Sequence, residues 1–100
     1  MTNVWLDDLR TPPDGWLWFK TSQEIIDWME SRVAEDKNIG DTISFDHDLG
    51  GDDTSRRVVL WMCERDTWPA HVRLHSANPV GRDWLGGMVE RYAPPGTLLR

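Results

Sequence analysis

The chain has 100 residues, enough for one compact domain spanning residues 1–100 and too few for two. Apolar residues make up 39% and charged residues 28%, the balance of a globular rather than a disordered protein. A net charge of −6 argues against gripping a nucleic-acid backbone by counterion release, duplex DNA included, and no apolar run approaches the ~20 residues of a membrane span.

The N-terminus MTNVWLDDLR has no signal-peptide pattern, the single Cys63 cannot make an intramolecular disulfide, and no Cys/His zinc spacing is present. The cytoplasm is the expected compartment, and oligomeric state is left open. Val4-Trp5-Leu6 predicts a short buried strand ending in Asp7-Asp8. After the turn Thr11-Pro12-Pro13-Asp14-Gly15, the apolar run Trp16–Phe19 predicts a second strand. Thr21 followed three residues later by Glu24 forms a capping box, and Ile25, Ile26, Met29 and Val33 then fall on one helical face. Thr42–Phe45 predicts a third strand running into Asp46-His47-Asp48. A helix from about Thr54 to Arg65 turns Val58, Val59, Met62 and Cys63 inward. His71–Leu74 predicts a fourth strand ending at His75-Ser76. Asn78-Pro79 reads as an N-cap with proline at the first helical position, and the helix it opens turns Trp84, Leu85, Met88, Val89 and Tyr92 inward. The alternation implies an α/β fold: a mostly parallel sheet of about four strands, covered by about three helices.

In an open α/β sheet, ligands bind beyond the carboxyl ends of the strands. Here those ends carry Asp7 and Asp8, then Asp46, His47 and Asp48, then His75 and Ser76. Carboxylates brought together there repel one another, and a hard divalent cation such as Mg²⁺ relieves the repulsion through oxygen ligands. Any single Asp is explained by turn preference, as Asp14, Asp52 and Asp53 are, whereas Asp7, Asp8 and Asp46 together form a metal-site pattern. His47 and His75 are acid/base candidates on the same edge, where a histidine also serves as a structural hydrogen-bonder. Arg10 follows the acid pair and is placed to clamp a phosphate oxygen. Asn78 is explained by capping alone, although the helix start it caps also favours an anion. Trp16 and Trp18 point to one side of their strand, for core packing or for stacking a base.

Two local patterns fail. An EF-hand loop starting at Asp46 would place Arg57 where a bidentate Glu is required. Asp46-x-Asp48 is similar to the aspartate-nucleophile phosphatases of the haloacid dehalogenase type, but Gly50 stands where Thr or Val is expected.

The acids Asp7, Asp8 and Asp46, with Ser76 after the next strand, resemble the receiver fold of response regulators, in which such acids hold Mg²⁺ and accept a phosphoryl group. The short segment between the first two strands leaves no room for the first receiver helix, and no fifth strand with its switch lysine is expected. The added histidines complete Leu6-Asp7-Asp8-x-Arg10-x-Pro12, Phe45-Asp46-His47-Asp48-Leu49-Gly50 and His75-Ser76-x-Asn78, which look like the cyclic-phosphate-processing receiver domain, a compact bacterial and phage family. This resemblance implies a receiver-like (flavodoxin-like) fold and a metal-dependent phosphoesterase opening a cyclic phosphate on an RNA end or a cyclic nucleotide. Asp7, Asp8 and Asp46 would hold Mg²⁺ or Mn²⁺. His47 and His75 would move protons, with Asp46 alternatively a nucleophile. Arg10, Ser76 and Asn78 would position the phosphate, and Asp48 would orient a histidine. The alternative is a binding module that sequesters a nucleotide or a partner protein without turnover.

Overall fold

Strands alternate with helices along the computed structural model, which describes residues 1–99. The strands are β1 (Asn3–Leu6), β2 (Leu17–Phe19), β3 (Thr42–Phe45), β4 (His71–Leu74) and β5 (Leu98–Leu99); the helices are α1 (Ser22–Ala34), α2 (Arg56–Arg65) and α3 (Pro79–Tyr92). The sheet order is β2-β1-β3-β4-β5, and every pairing is parallel.

Register aligns the apolar positions. Val4 lies beside Ile43 and Ile43 beside Val72, while Leu6 lies beside Phe45. With side chains alternating along a strand, these five residues share one face, where all are fully buried. Each such burial stabilises the fold by about 1.5–3 kcal/mol relative to exposure. Ile25 and Met29 of α1, Val58, Val59 and Met62 of α2, and Leu85 and Val89 of α3 close over this face. The helix starts follow the expected caps. Thr21 and Glu24 form the capping box of α1, and the Asn78 side chain accepts from the Gly81 N–H at 3.1 Å to cap α3.

Topology decides where the helices go. The steps β2→α1→β3, β3→α2→β4 and β4→α3→β5 all move in one direction across the sheet. Right-handed crossovers therefore put all three helices on the same face, where α1 packs on α2 and α2 on α3. The step from β1 to β2 runs the other way, and its connection carries no helix. In its place Trp16 packs edge-on against Trp5, with ring centroids 5.8 Å apart. Beside Trp16, a shallow hollow of about 450 Å³ opens on this second face, lined by Asn3, Thr42 and Arg73 among others. Among the described residues, no helix is long and apolar enough to cross a membrane.

Three sequence expectations are corrected. A fifth strand exists: Leu98 and Leu99 pair with His71 and Val72. Two residues after Pro94-Pro95-Gly96 show no strand periodicity, so pairing to β4 alone defines them. Helix α2 begins at Arg56, because Thr54 is held in a bridge to Asp48 and Ser55 takes the cap position. Val33 and Tyr92 are exposed, each in the last turn of its helix.

Two glycines of α3 separate packing from propensity. A Cβ added to Gly81 would overlap the His47 ring, whereas one added to Gly87 would meet open space. Gly81→Ala is expected to lower stability by about 1–3 kcal/mol through overpacking. Gly87→Ala is expected to raise it by about 0.5–1 kcal/mol through helix propensity. Urea unfolding of both variants checks this; midpoints that move in the same direction contradict the packing of His47 on α3.

Candidate active site

β1 is the point where the connections reverse direction, so a crevice opens between the carboxyl ends of β1 and β3. Residues just past the strand ends stay pinned to the sheet by its backbone ladder. The Asp7 N–H donates to the Phe19 carbonyl at 3.0 Å, that of Asp46 to Leu6 at 2.9 Å, and that of His75 to Phe45 at 3.0 Å. Acidic side chains built on such a frame are held more tightly than loop residues.

Asp7, Asp8 and Asp46 converge there. Each offers a carboxylate oxygen, and these oxygens all lie within 4.8 Å of one another. The Asp7 side chain is fully buried. Its Oδ1 accepts from the N–H groups of Leu9 and Arg10 at 2.9 and 3.0 Å, which shapes the Asp7–Arg10 turn. Its Oδ2 lies 3.0 Å from His75 Nε2, and its carbonyl accepts from the Trp18 indole N–H at 2.7 Å. Asp46 is half-buried, and burial raises its pKa above the ordinary carboxylate value, with the Asp7 charge adding to the rise. The His47 N–H, the Ser76 hydroxyl and the His75 charge pull it partly back.

A cleft of about 330 Å³ lies against these acids, lined by Asp8, Arg10, Asp46, Asp48, Ser76 and Asn78, with Leu9, Gly50 and Ala77. It is smaller than the hollow on the bare sheet face, but it is the depression that adjoins the carboxylates. Arg10 Nη1 donates to the His75 carbonyl at 2.7 Å, which anchors the guanidinium at the rim. The Ser76 hydroxyl accepts from the Asn78 N–H at 3.1 Å. Asn78 Nδ2 donates to Asp48 Oδ2 at 3.0 Å, so this residue is both helix cap and cleft wall. Asp48 is held ionised below its usual range by the Asn78 and His47 hydrogen bonds. Gly50 has a φ of +91°, and a Cβ there would press on Asp8 Oδ2 at 3.1 Å, so the loop needs glycine at this point.

Both histidines lie behind this surface. His47 is buried; its Nε2 accepts from Arg56 Nε at 2.9 Å, and its Nδ1 sits 3.1 Å from Asp48 Oδ1. Those contacts fit a neutral ring with the proton on Nδ1. His75 stacks on Trp5 with centroids 3.9 Å apart and planes 7° apart, and its Nδ1 is 2.7 Å from the fully buried Ser44 Oγ. Burial lowers the His75 pKa below 6.5, against the opposing pull of Asp7. The structure thus brings Asp7, Asp8, Asp46, Arg10, Asp48, Ser76 and Asn78 to one place and turns the rings of His47 and His75 onto protein partners. Trp16 and Trp18 are likewise engaged, under Arg73 and Lys20 respectively.

Sequence reading missed Ser44, Trp5, Leu9, Gly50, Ala77 and Asp53. Ser44 had a signal: a hydroxyl between Ile43 and Phe45 in a buried strand demands a partner. Asp53, read as a turn residue, also accepts from the Ser22 N–H at 2.9 Å and the Ser22 hydroxyl at 2.5 Å, tying the start of α1 to the loop after β3. Nothing in the sequence pattern announces a contact of that span.

The family described as the cyclic-phosphate processing receiver domain matches residues 2–91 of the chain. The protein belongs to that family. No curated protein and no solved structure matches it.

The shifted groups give pH dependences of opposite sign. Because His75 takes a proton less readily folded than unfolded, its contribution is present above 6.5 and is lost as pH falls through 6.5 toward the lower folded value. Asp46 holds its proton more tightly folded, so its contribution is present below 3.8 and is lost as pH rises through the raised folded value. Without divalent ions, Asp46→Asn is therefore expected to be more stable than the parent at pH 7, and His75→Gln to lose less stability as pH falls below 6.5. Unfolding midpoints measured across pH check both signs.

Proposed function

We propose that this protein opens a cyclic phosphate ester, on a cyclic nucleotide or an RNA end, with a divalent ion of the Mg²⁺ or Mn²⁺ class held by Asp7, Asp8 and Asp46. One observation carries the reading: carboxylates from two adjacent strand ends meet a cleft whose lining also presents Arg10, Ser76 and Asn78. The donor set fits a hard cation, being all oxygen, and the upward pull of the Asp7 charge on Asp46 is a repulsion that a cation would relieve. When bound, such an ion polarises a phosphoryl oxygen and lowers the pKa of water.

The chain's own residues supply the rest. Arg10 keeps guanidinium donors beyond the one given to His75, and these fit a phosphate oxygen. Ser76 and Asn78 orient the ester from the start of α3, where the positive end of the helix dipole favours an anion. Asp46, a carboxylate that lines the cleft, accepts the proton of the attacking water. Phosphorus gains the water oxygen, one ring P–O bond breaks, and the departing ribose oxygen is protonated from solvent. His47 acts from behind, holding Asp48 against Asn78. The single half-buried Cys63 suits a reducing, cytoplasmic setting.

A second reading, a module that binds a nucleotide without turnover, is favoured by one observation: both histidines spend their ring nitrogens on protein partners, leaving the cleft lined without an imidazole. The two separate by ³¹P NMR with Mg²⁺, then Mn²⁺, and a panel of 2′,3′-cyclic mononucleotides, 3′,5′-cyclic mononucleotides and an RNA with a 2′,3′-cyclic end. Conversion to a monoester is expected. Asp46→Asn should lower it about 10²–10⁴-fold as loss of an acid/base group. Arg10→Ala should lower it about 10–100-fold as loss of a charge-assisted hydrogen bond. A ligand line that broadens while the ligand is recovered unchanged selects the binding module instead. A phospho-Asp46 adduct in the mass spectrum would transfer the attack from water to the carboxylate.

A further inference from the structure

We infer that Ser44 and His75 are positioning residues for Asp7, the means by which the interior of the sheet fixes one carboxylate of the divalent-ion site. The inference rests on the reading above, in which Asp7 shares an ion with Asp8 and Asp46. Ser44 Oγ, His75 and Asp7 form a continuous chain, with 2.7 Å to His75 Nδ1 and 3.0 Å from His75 Nε2 to Asp7 Oδ2. The residue types are those of a hydrolytic triad, but Ser44 is fully buried in the middle of β3 and can meet no substrate. The chain of bonds therefore acts toward Asp7.

Three further contacts hold the residue, one on the ring and two on its backbone. Trp5 stacks on it at 3.9 Å and 7°, the His75 N–H donates to the Phe45 carbonyl, and Arg10 Nη1 donates to the His75 carbonyl at 2.7 Å. A ring so fixed determines the plane of the carboxylate. The N–H groups of Leu9 and Arg10 hold only Oδ1 of Asp7, and His75 holds Oδ2. Outer partners of this kind orient the groups that touch a metal, and losing one typically costs about 10–100-fold in metal affinity.

The test is the Mn²⁺ affinity of the full chain, read by electron paramagnetic resonance of free Mn²⁺, which does not depend on turnover. His75→Ala is expected to weaken binding about 10–100-fold. His75→Gln should recover most of that loss, because its amide N–H stands in for the Nε2 donor toward Asp7. Ser44→Ala, which leaves the ring but frees it to turn, should weaken binding about 2–10-fold, the size of one neutral hydrogen bond. Thermal unfolding of the same variants supplies the contrast. Both His75 variants lose the stack on Trp5 and melt lower, whereas affinity falls mainly in His75→Ala. If His75→Ala does not fold, Ser44→Ala decides. Folded His75→Ala or Ser44→Ala chains that bind Mn²⁺ as tightly as the parent overturn the positioning role and leave the metal reading standing. A parent chain that binds no Mn²⁺ overturns both.

Discussion

A carboxylate buried at the end of a central strand must be paired with hydrogen-bond donors or lose its charge, and Asp7 meets that demand from every side. Its fully buried side chain takes two backbone N–H groups on one oxygen and His75 on the other, while its own backbone engages Phe19 and the Trp18 indole. The partners arrive from three parts of the chain, so the sequence in each answers to this one group. Leu9 and Arg10 turn back over the strand end, β2 closes the outer side, and Ser44 and Trp5 hold His75 in place. Folding the sheet and assembling the acidic site are the same event, which is why a small domain can hold several like charges together.

The second constraint is topological. With every crossover after β2 stepping the same way, right-handedness assigns the three helices to one face, and the opposite face is left to the segment between β1 and β2. Trp5 and Trp16 cover with two indoles part of what a helix would otherwise cover. The same reversal at β1 opens the crevice at the strand ends, so the missing helix and the position of the site have one origin. On the helical side, α3 is seated by His47, whose ring fills the space left by Gly81 and reaches Asp48 and Arg56. Arg56 in turn lies over the Trp84 ring, carrying the contact from the loop after β3 onto α3.

The parts legible in sequence were those whose signal is local. Strand ends followed by acids, the capping box at Thr21, and Asn78-Pro79 each declare themselves within a few residues. Strand β5 did not, because Leu98-Leu99 has no period of its own and exists through pairing with β4. The one-sided helix layer needed strand order, which composition does not contain. At the site, the convergence of Asp7, Asp8 and Asp46 followed from a parallel sheet, but the direction of each histidine ring did not. His47 and His75 look alike beside their acids, and only the contacts with Arg56, Ser44 and Trp5 show that both are held from behind. Spacing along a chain reports which residues share an edge; what a side chain faces is settled by partners more than sixty residues away, as for His75 and Asp7.

The central claim is that the carboxylates of Asp7, Asp8 and Asp46 form one divalent-ion site beside the cleft bearing Arg10 and Ser76. Crystals grown with Mn²⁺ and measured at the manganese absorption edge address it directly through the anomalous difference map. A single strong peak bounded by those three carboxylates is the predicted result. A map without a peak there, or with manganese bound elsewhere on the acidic surface, would contradict it.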